Sequence, residues 1–148
     1  MKLQLNWHHS LKLGKFPYST GSATIPATAG VYIFLRVHGE SAEALYVGKA
    51  TNLKSRIKQQ LNNLKLMTAI QKATNGERRL VFAEFIPKPG QQIDKAIPIC
   101  EKTLIRYYLA QGHGLVNIQG TTLRFHELDS SRSDLKNFLP LKTKMQVK

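Results

Sequence analysis

The sequence predicts a small α/β (α+β) domain, and three observations predict it. Short apolar runs rich in β-branched residues, Val31–Val37 and Ala44–Val47, flank a polar turn, and a third run follows at Leu80–Ile86. Between and after them, Leu53, Ile57, Leu61 and Leu64, and then Ile97, Leu104, Ile105 and Tyr108, recur at helical spacing. The chain has 148 residues, 42% of them hydrophobic, which is room for one core and not for two.

Residues 1–24 read as an N-terminal extension, in which Leu3, Leu5 and Trp7 alternate as in a short strand. His8 and His9 are adjacent, the wrong spacing for two ligands on one face, and read as surface or packing residues. A small-residue loop, Gly21–Thr28, leads into Val31–Val37, whose near-continuous apolar run suits a strand covered on both faces. His38–Ala42 is the turn and Ala44–Val47 the returning strand. If the turn centres on Gly39, Tyr32 and Tyr46 stand directly opposite each other with their phenols on one face. A helix then starts at Thr51 or Asn52, either a good N-cap, with Arg56 beside its apolar stripe. Leu66–Thr74 continues it or forms a second short helix, closed by Asn75-Gly76. The third strand, Arg78–Ile86, stops at Pro87-Lys88-Pro89-Gly90.

Asp94–Ala110 is the clearest helix. Asp94 can cap it, Pro98 is tolerable only in or near its first turn, and Gly112 and Gly114 end it. Glu101 falls in the middle of its otherwise apolar face. Leu115-Val116-Asn117 is a short buried segment ending in an amide. Residues 119–148 read as a basic C-terminal extension, and its last part, Pro140–Lys148, carries three lysines and no acid, as a mobile tail does. There is no internal repeat and no second-domain linker. Residues 1–148 therefore form one domain with its core over 25–118.

Charge narrows the partner. There are 22 Lys and Arg against 9 Asp and Glu, a formal charge of +13, which points to a polyanion and by default to nucleic acid. A membrane is disfavoured, because no long basic amphipathic helix and no run of about 18 apolar residues is present. The N-terminal stretch lacks the apolar region of a signal peptide, and one cysteine, Cys100, can form neither an internal disulfide nor a thiolate zinc site. A reducing cytoplasm is the expected compartment.

The residues that could carry chemistry each have a plain alternative. A buried carboxylate costs several kcal/mol unless paired or metal-bound, so Glu101 alone reads as a salt bridge or a ligand. Tyr32 and Tyr46 alone read as cross-strand packing, and Lys49 and Arg56 as surface cations. Position favours more for these two. Lys49 follows a strand-end glycine that lets a substrate approach the backbone, and Arg56 sits one turn past the cap, where a planar guanidinium can meet a phosphate. Asn117 alone is a turn former. Gly112 and Gly114 lack the following helix of a phosphate loop, and neither His113 nor His126 has a partner at metal-ligand spacing.

Taken together, the order is more specific. Gly30-Val31-Tyr32 is followed by Tyr46-Val47-Gly48, then at once by Lys49, by Arg56, by Glu101 on a helix and by Asn117 after it. This order resembles the GIY-YIG nuclease family over roughly residues 25–118. In its segment from Tyr46 to Arg56 it looks most like the N-terminal nuclease module of the UvrC excision-repair proteins. Valine replaces isoleucine in both name motifs, and the hairpin between the tyrosines is a little longer than usual. The regions before Gly30 and after Asn117 have no counterpart in the pattern.

The resemblance implies a three-stranded antiparallel sheet flanked by helices on both faces. It implies that Glu101 is the single metal-binding carboxylate, taking Mg²⁺ with Mn²⁺ as a substitute; Mg²⁺ keeps most of its waters and takes other ligands from phosphate. It implies that one phenol activates water, Tyr32 being favoured as base and Tyr46 as the group that orients water or phosphate. A phenol of pKa ~10 needs nearby positive charge for that task, which Lys49 and Arg56 are expected to supply. Asn117 braces the site. The expected activity is one-step hydrolysis of phosphodiesters in double-stranded or branched DNA. The expected state is a stand-alone nuclease, or one that joins a homodimer or a partner protein. The rivals are a catalytically weak nucleic-acid-binding module of the same fold and an RNA-directed nuclease; a pure binder has no reason to bury Glu101.

Overall fold

The structure is a computed structural model that describes residues 2–21, 23–73, 75–116, 124–130, 138 and 142–147. In chain order its strands are β1 (Lys2–Trp7), β2 (Leu11–Lys12), β3 (Gly30–His38), β4 (Ser41–Ala50), β5 (Glu77–Ile86), β6 (Arg124–Ser130) and β7 (Lys142–Val147). Its helices are α1 (Leu53–Leu61) and α2 (Leu64–Gln71), between β4 and β5, and α3 (Ile93–Ala110), after β5.

All seven strands join one sheet of order β4-β3-β5-β1-β6-β7, with β2 also paired to β5. The three expected strands are β3, β4 and β5, which form its antiparallel centre. The strand count is larger than three because the segments read as extensions supply the rest. A bare β5 edge would leave a row of backbone donors and acceptors unpaired, and β1 and β2 cover it. β6 then pairs parallel to β1, and β7 antiparallel to β6, so the last strand lies where a mobile tail was expected.

Alternation along β3 explains its continuous apolar run. Val31, Ile33 and Leu35 pack with Leu3, Leu5, Val81, Ala83 and the apolar face of α3. Tyr32 and Phe34 face the other way, into a cluster with Leu53, Ile57, Met67 and Ile70 of α1 and α2. Helices therefore cover both faces, as expected, and β3 has no polar side to show.

The hairpin register differs from the expected one. Tyr32 pairs with Gly48, and Tyr46 pairs with Phe34. The turn is centred between Gly39 and Glu40, and an irregularity between Phe34 and Leu35 leaves Leu45 outside the register. Both shifts move Tyr46 toward the turn relative to Tyr32, so the phenols are diagonal neighbours. They still share a face, because each step of two residues preserves it.

Local signals set the helix starts. Asn52 caps α1 by accepting from the Ser55 N–H at 3.0 Å, and Asn63 caps α2 by accepting from the Leu66 N–H at 3.1 Å. Leu64 is not part of the α1 stripe. It opens α2 and is 72% exposed, while Gln60 takes the buried place next to Leu53 and Ile57. α3 begins one residue early, with Gln92 at the cap, so Asp94 lies inside the first turn and Pro98 in the second. Pro98 has no N–H for the Asp94 carbonyl, and Asp94 is exposed at the end of the helix, where this loss is tolerated.

Candidate active site

A cleft of about 740 Å³ opens along β4, one of the two edge strands of the sheet among the described residues. Tyr32, Tyr46 and Lys49 line it from the hairpin, Asn52, Ser55, Arg56 and Gln59 from the start of α1, and Asp94, Ile97, Pro98 and Glu101 from α3. Because β4 is an edge, side chains from both of its faces reach this one cleft. Tyr46 belongs to the α1 side, and Lys49, three residues on, to the α3 side.

Glu101 is the most exposed to consequence. Its side chain is only 6% accessible, and among the described residues its one ionic partner is the Lys49 ammonium at 4.0 Å. Among the described residues no donor forms a hydrogen bond to it. Burial pushes its carboxyl above the usual carboxylate range, while Lys49, Lys102 and Arg56 pull the other way. A carboxylate that is desolvated, barely paired and facing a cleft is the kind of group that a hard cation satisfies. The described residues hold no group of three or more His, Cys, Asp or Glu that could form a metal cage. The fit is therefore to an ion that keeps its waters, with Glu101 as its protein ligand.

The tyrosines meet through an amide. Their rings stack at 6.3 Å, 26° apart, and the buried Gln60 donates to the Tyr32 oxygen at 2.8 Å and to the Tyr46 oxygen at 3.3 Å. Tyr32 is fully buried at the back of the cleft and Tyr46 half-buried. Burial raises the Tyr32 phenol above its ordinary value, and the Gln60 bond and the Arg56 guanidinium oppose that rise. The cation beside Tyr32 is thus Arg56. Lys49 is on the opposite face of β4, where alternation directs it to Glu101, so it is not the group that acidifies this phenol.

Gly48 has a use different from the expected one. A Cβ built there would overlap the Tyr32 ring, so the glycine lets the phenol lie across β4 rather than letting a substrate approach the backbone. Gly30 is constrained in the same way, by the Ala83 carbonyl of β5.

Arg56 is exposed, with its guanidinium donating to the side-chain Oε1 of Gln59 at 2.8 Å. The first-turn N–H groups of α1 are already used: Leu53 donates to Thr28, Lys54 to Pro26 and Ser55 to the Asn52 side chain. The helix end is therefore closed to an anion, and the cations that line the cleft are the Arg56 and Lys49 side chains. Asn117, the expected brace, lies outside the described residues.

The structure thus brings together Tyr32, Tyr46, Lys49, Arg56 and Glu101. It adds Gln60, Asn63 and Asp94, to which sequence reasoning gave no part in the site. For Gln60 a signal existed: it falls seven residues after Leu53, on the inner stripe, where a polar side chain is as odd as Glu101 is on α3. A family model described as the GIY-YIG catalytic domain matches residues 28–112, more than half of the chain. No curated protein and no solved structure matches it.

Proposed function

The chain belongs to the GIY-YIG family of nucleases, and on that premise we propose that it is a metal-dependent endonuclease that hydrolyses DNA phosphodiesters in one step. The observation that carries the metal-dependent reading is Glu101, a buried carboxylate that no hydrogen bond among the described residues satisfies, facing the same cleft as two phenols and two cations. The formal charge of +13 supports a nucleic-acid substrate, and no helix among the described residues is long and apolar enough to cross a membrane.

In this reading the residues divide the work by position. Arg56, at the mouth, holds the non-bridging phosphate oxygens, on which charge builds as water attacks. Tyr32, at the back, accepts the water proton in its phenolate form as the new P–O bond forms and the bond to the 3′-oxygen breaks. Tyr46, half-buried beside it, orients the water or the phosphate. Lys49 faces Glu101 and favours its ionised form against the effect of burial. Glu101 would hold Mg²⁺, with Mn²⁺ as a substitute, and the bound ion would supply stabilisation of the transition-state charge. Asn117 is assigned a bracing role on the family pattern alone.

A supercoiled-plasmid nicking assay tests this, run with Mg²⁺ or with EDTA on the wild type and on Glu101→Ala, with a gel shift alongside. Nicking is expected from the wild type with Mg²⁺ only, and Glu101→Ala is expected to bind DNA without nicking it. Nicking by Glu101→Ala at the wild-type rate overturns the assignment of the site. Failure of the wild type to nick plasmid, branched DNA or single strands overturns the activity.

A further inference from the structure

We propose that Gln60 is a positioning residue of this site, whose side-chain amide, held in one orientation by Asn63, presents N–H donors to both tyrosine oxygens at once. The proposal rests on the endonuclease reading and says how that site is organised.

The contacts are local and short. Gln60 is 4% exposed, and Nε2 lies 2.8 Å from the Tyr32 oxygen and 3.3 Å from the Tyr46 oxygen. One amide nitrogen reaches both oxygens because the rings are stacked diagonally rather than directly across the hairpin.

An amide has nearly the same shape when flipped, so its direction has to be imposed from outside. Here it is imposed by a helix cap. Asn63 uses its Oδ1 to accept from the Leu66 N–H at 3.1 Å, at the start of α2. That leaves Nδ2 as the end turned to Gln60, where it donates to Oε1 at 3.3 Å. With Oε1 occupied by a donor, Nε2 is the end that faces the phenols. A turn between two helices thus sets the polarity of hydrogen bonds behind the cleft.

The polarity has a chemical effect. An oxygen that accepts from Gln60 must point its own O–H elsewhere, and both phenols line the cleft. Donors aimed at a phenol oxygen favour the phenolate; an acceptor in the same place would favour the phenol. The other charged or titratable groups that line the same cleft are Arg56 on α1, Lys49 on the opposite face of β4, and Asp94 and Glu101 on α3. Burial raises the Tyr32 phenol, and the Gln60 bond is the first of the influences that oppose it.

The test uses the full chain and three variants. Gln60→Leu removes the donors. Gln60→Glu puts an acceptor in their place. Asn63→Asp keeps the cap oxygen but removes the N–H that fixes Gln60. Each is assayed for Mg²⁺-dependent nicking across pH, for DNA binding and for melting, and its tyrosine ring carbons are followed by NMR through a pH titration. Loss of the hydrogen bonds that favour the phenolate should shrink the ionised, basic fraction of Tyr32 and slow nicking by about 10–100-fold in Gln60→Leu. The alkaline-going limb of its pH–rate profile is expected to move to higher pH while DNA binding is kept. Gln60→Glu should shift further, and Asn63→Asp in the same direction while melting no lower than the wild type. A slower Gln60→Leu whose pH profile stays in place leaves only a packing role and overturns the proposal, as does an Asn63→Asp profile identical to the wild type. Should the wild type nick nothing, the endonuclease reading fails separately and the NMR titration decides. A Tyr32 ionisation that Gln60→Leu moves upward sustains the positioning role, and one that it leaves in place overturns it.

Discussion

Gln60 and Glu101 are polar side chains buried on the inner stripes of helices on opposite faces of the sheet, and the fold treats them differently. Gln60, on α1, uses its nitrogen on two phenols and its oxygen on Asn63. Glu101, on α3, has an ammonium at 4.0 Å and, among the described residues, no hydrogen bond. Burying a neutral amide with its partners in place is close to neutral in free energy, whereas burying a carboxylate that is poorly paired is not. The first is a finished piece of structure. Among the described residues the second is left with a deficit, which on the proposed reading a cation entering the cleft removes. On that reading the difference separates a residue that organises the site from one that holds a ligand there.

The substitution that breaks this contrast most severely is Glu101→Gln, which turns the carboxylate into a second amide. Nicking should fall by about 10³-fold or more, the scale of a metal's contribution to transition-state charge stabilisation. Plasmid binding, read by gel shift, should persist, because it rests on the cations. A Glu101→Gln protein that nicks normally would place the metal elsewhere.

Arg56 comes next. It is exposed and stands on the Gln60 side of the cleft, yet the task proposed for it is electrostatic, as is that proposed for Glu101. Arg56→Ala should lower the nicking rate by about 10²–10³-fold, by analogy with losing one preorganised donor to a developing oxyanion. Arg56→Lys should recover only part, because an ammonium cannot make the two parallel contacts of a guanidinium. Full recovery by lysine would reduce Arg56 to a source of charge. Melting temperature should be unchanged in both, which distinguishes Arg56 from a residue of the core.

How much of this was legible beforehand depends on what kind of fact each feature is. The burial of β3 on both faces is written in its unbroken run from Val31 to Leu35, and the helices on either side follow from it. Glu101 was legible because charge on an apolar stripe is conspicuous. Gln60 sits on an equivalent stripe, but Leu61 and Leu64 nearby read as its continuation, and Leu64 is in fact the exposed first residue of α2. The tyrosine register was missed because an irregularity between Phe34 and Leu35 has no composition of its own. The parallel pairing of β1 with β6 joins residues more than a hundred positions apart, which no local periodicity encodes. Asn117 was named from the order of motifs and lies outside the described residues.

Gly48→Ala tests whether the organised side of the cleft is as finished as it looks. The added methyl group would overlap the Tyr32 ring, which must then move away from β4 and from Gln60. Overpacking of this kind destabilises by about 1–3 kcal/mol. Chemical denaturation should register that loss, and nicking should decline with it as the phenol leaves its place. Unchanged stability would mean that the ring has room the packing does not show, and that Gln60 holds it less firmly than its 2.8 Å bond suggests.

The smallest expected effect concerns stability and acts on the unfinished side. The Glu101 carboxyl is raised above its ordinary value of 4.5 chiefly by burial. The fold therefore favours its protonated form. The stability this provides is complete below pH 4.5 and is lost as pH rises through the folded-state value. Glu84 behaves oppositely: hydrogen bonds from Thr28 and His8 hold it below its ordinary value, so its contribution is lost on acidification. Since Glu84 is common to both proteins, it drops out of a comparison between wild type and Glu101→Gln. Without metal, the two should melt closely together below pH 4.5, and Glu101→Gln should melt higher as pH approaches neutrality. Adding Mg²⁺ at neutral pH should then narrow the gap by stabilising the wild type alone. A gap that is constant with pH, or that Mg²⁺ leaves untouched, would mean that Lys49 and solvent already satisfy the carboxylate, and the contrast with Gln60 would lose its basis.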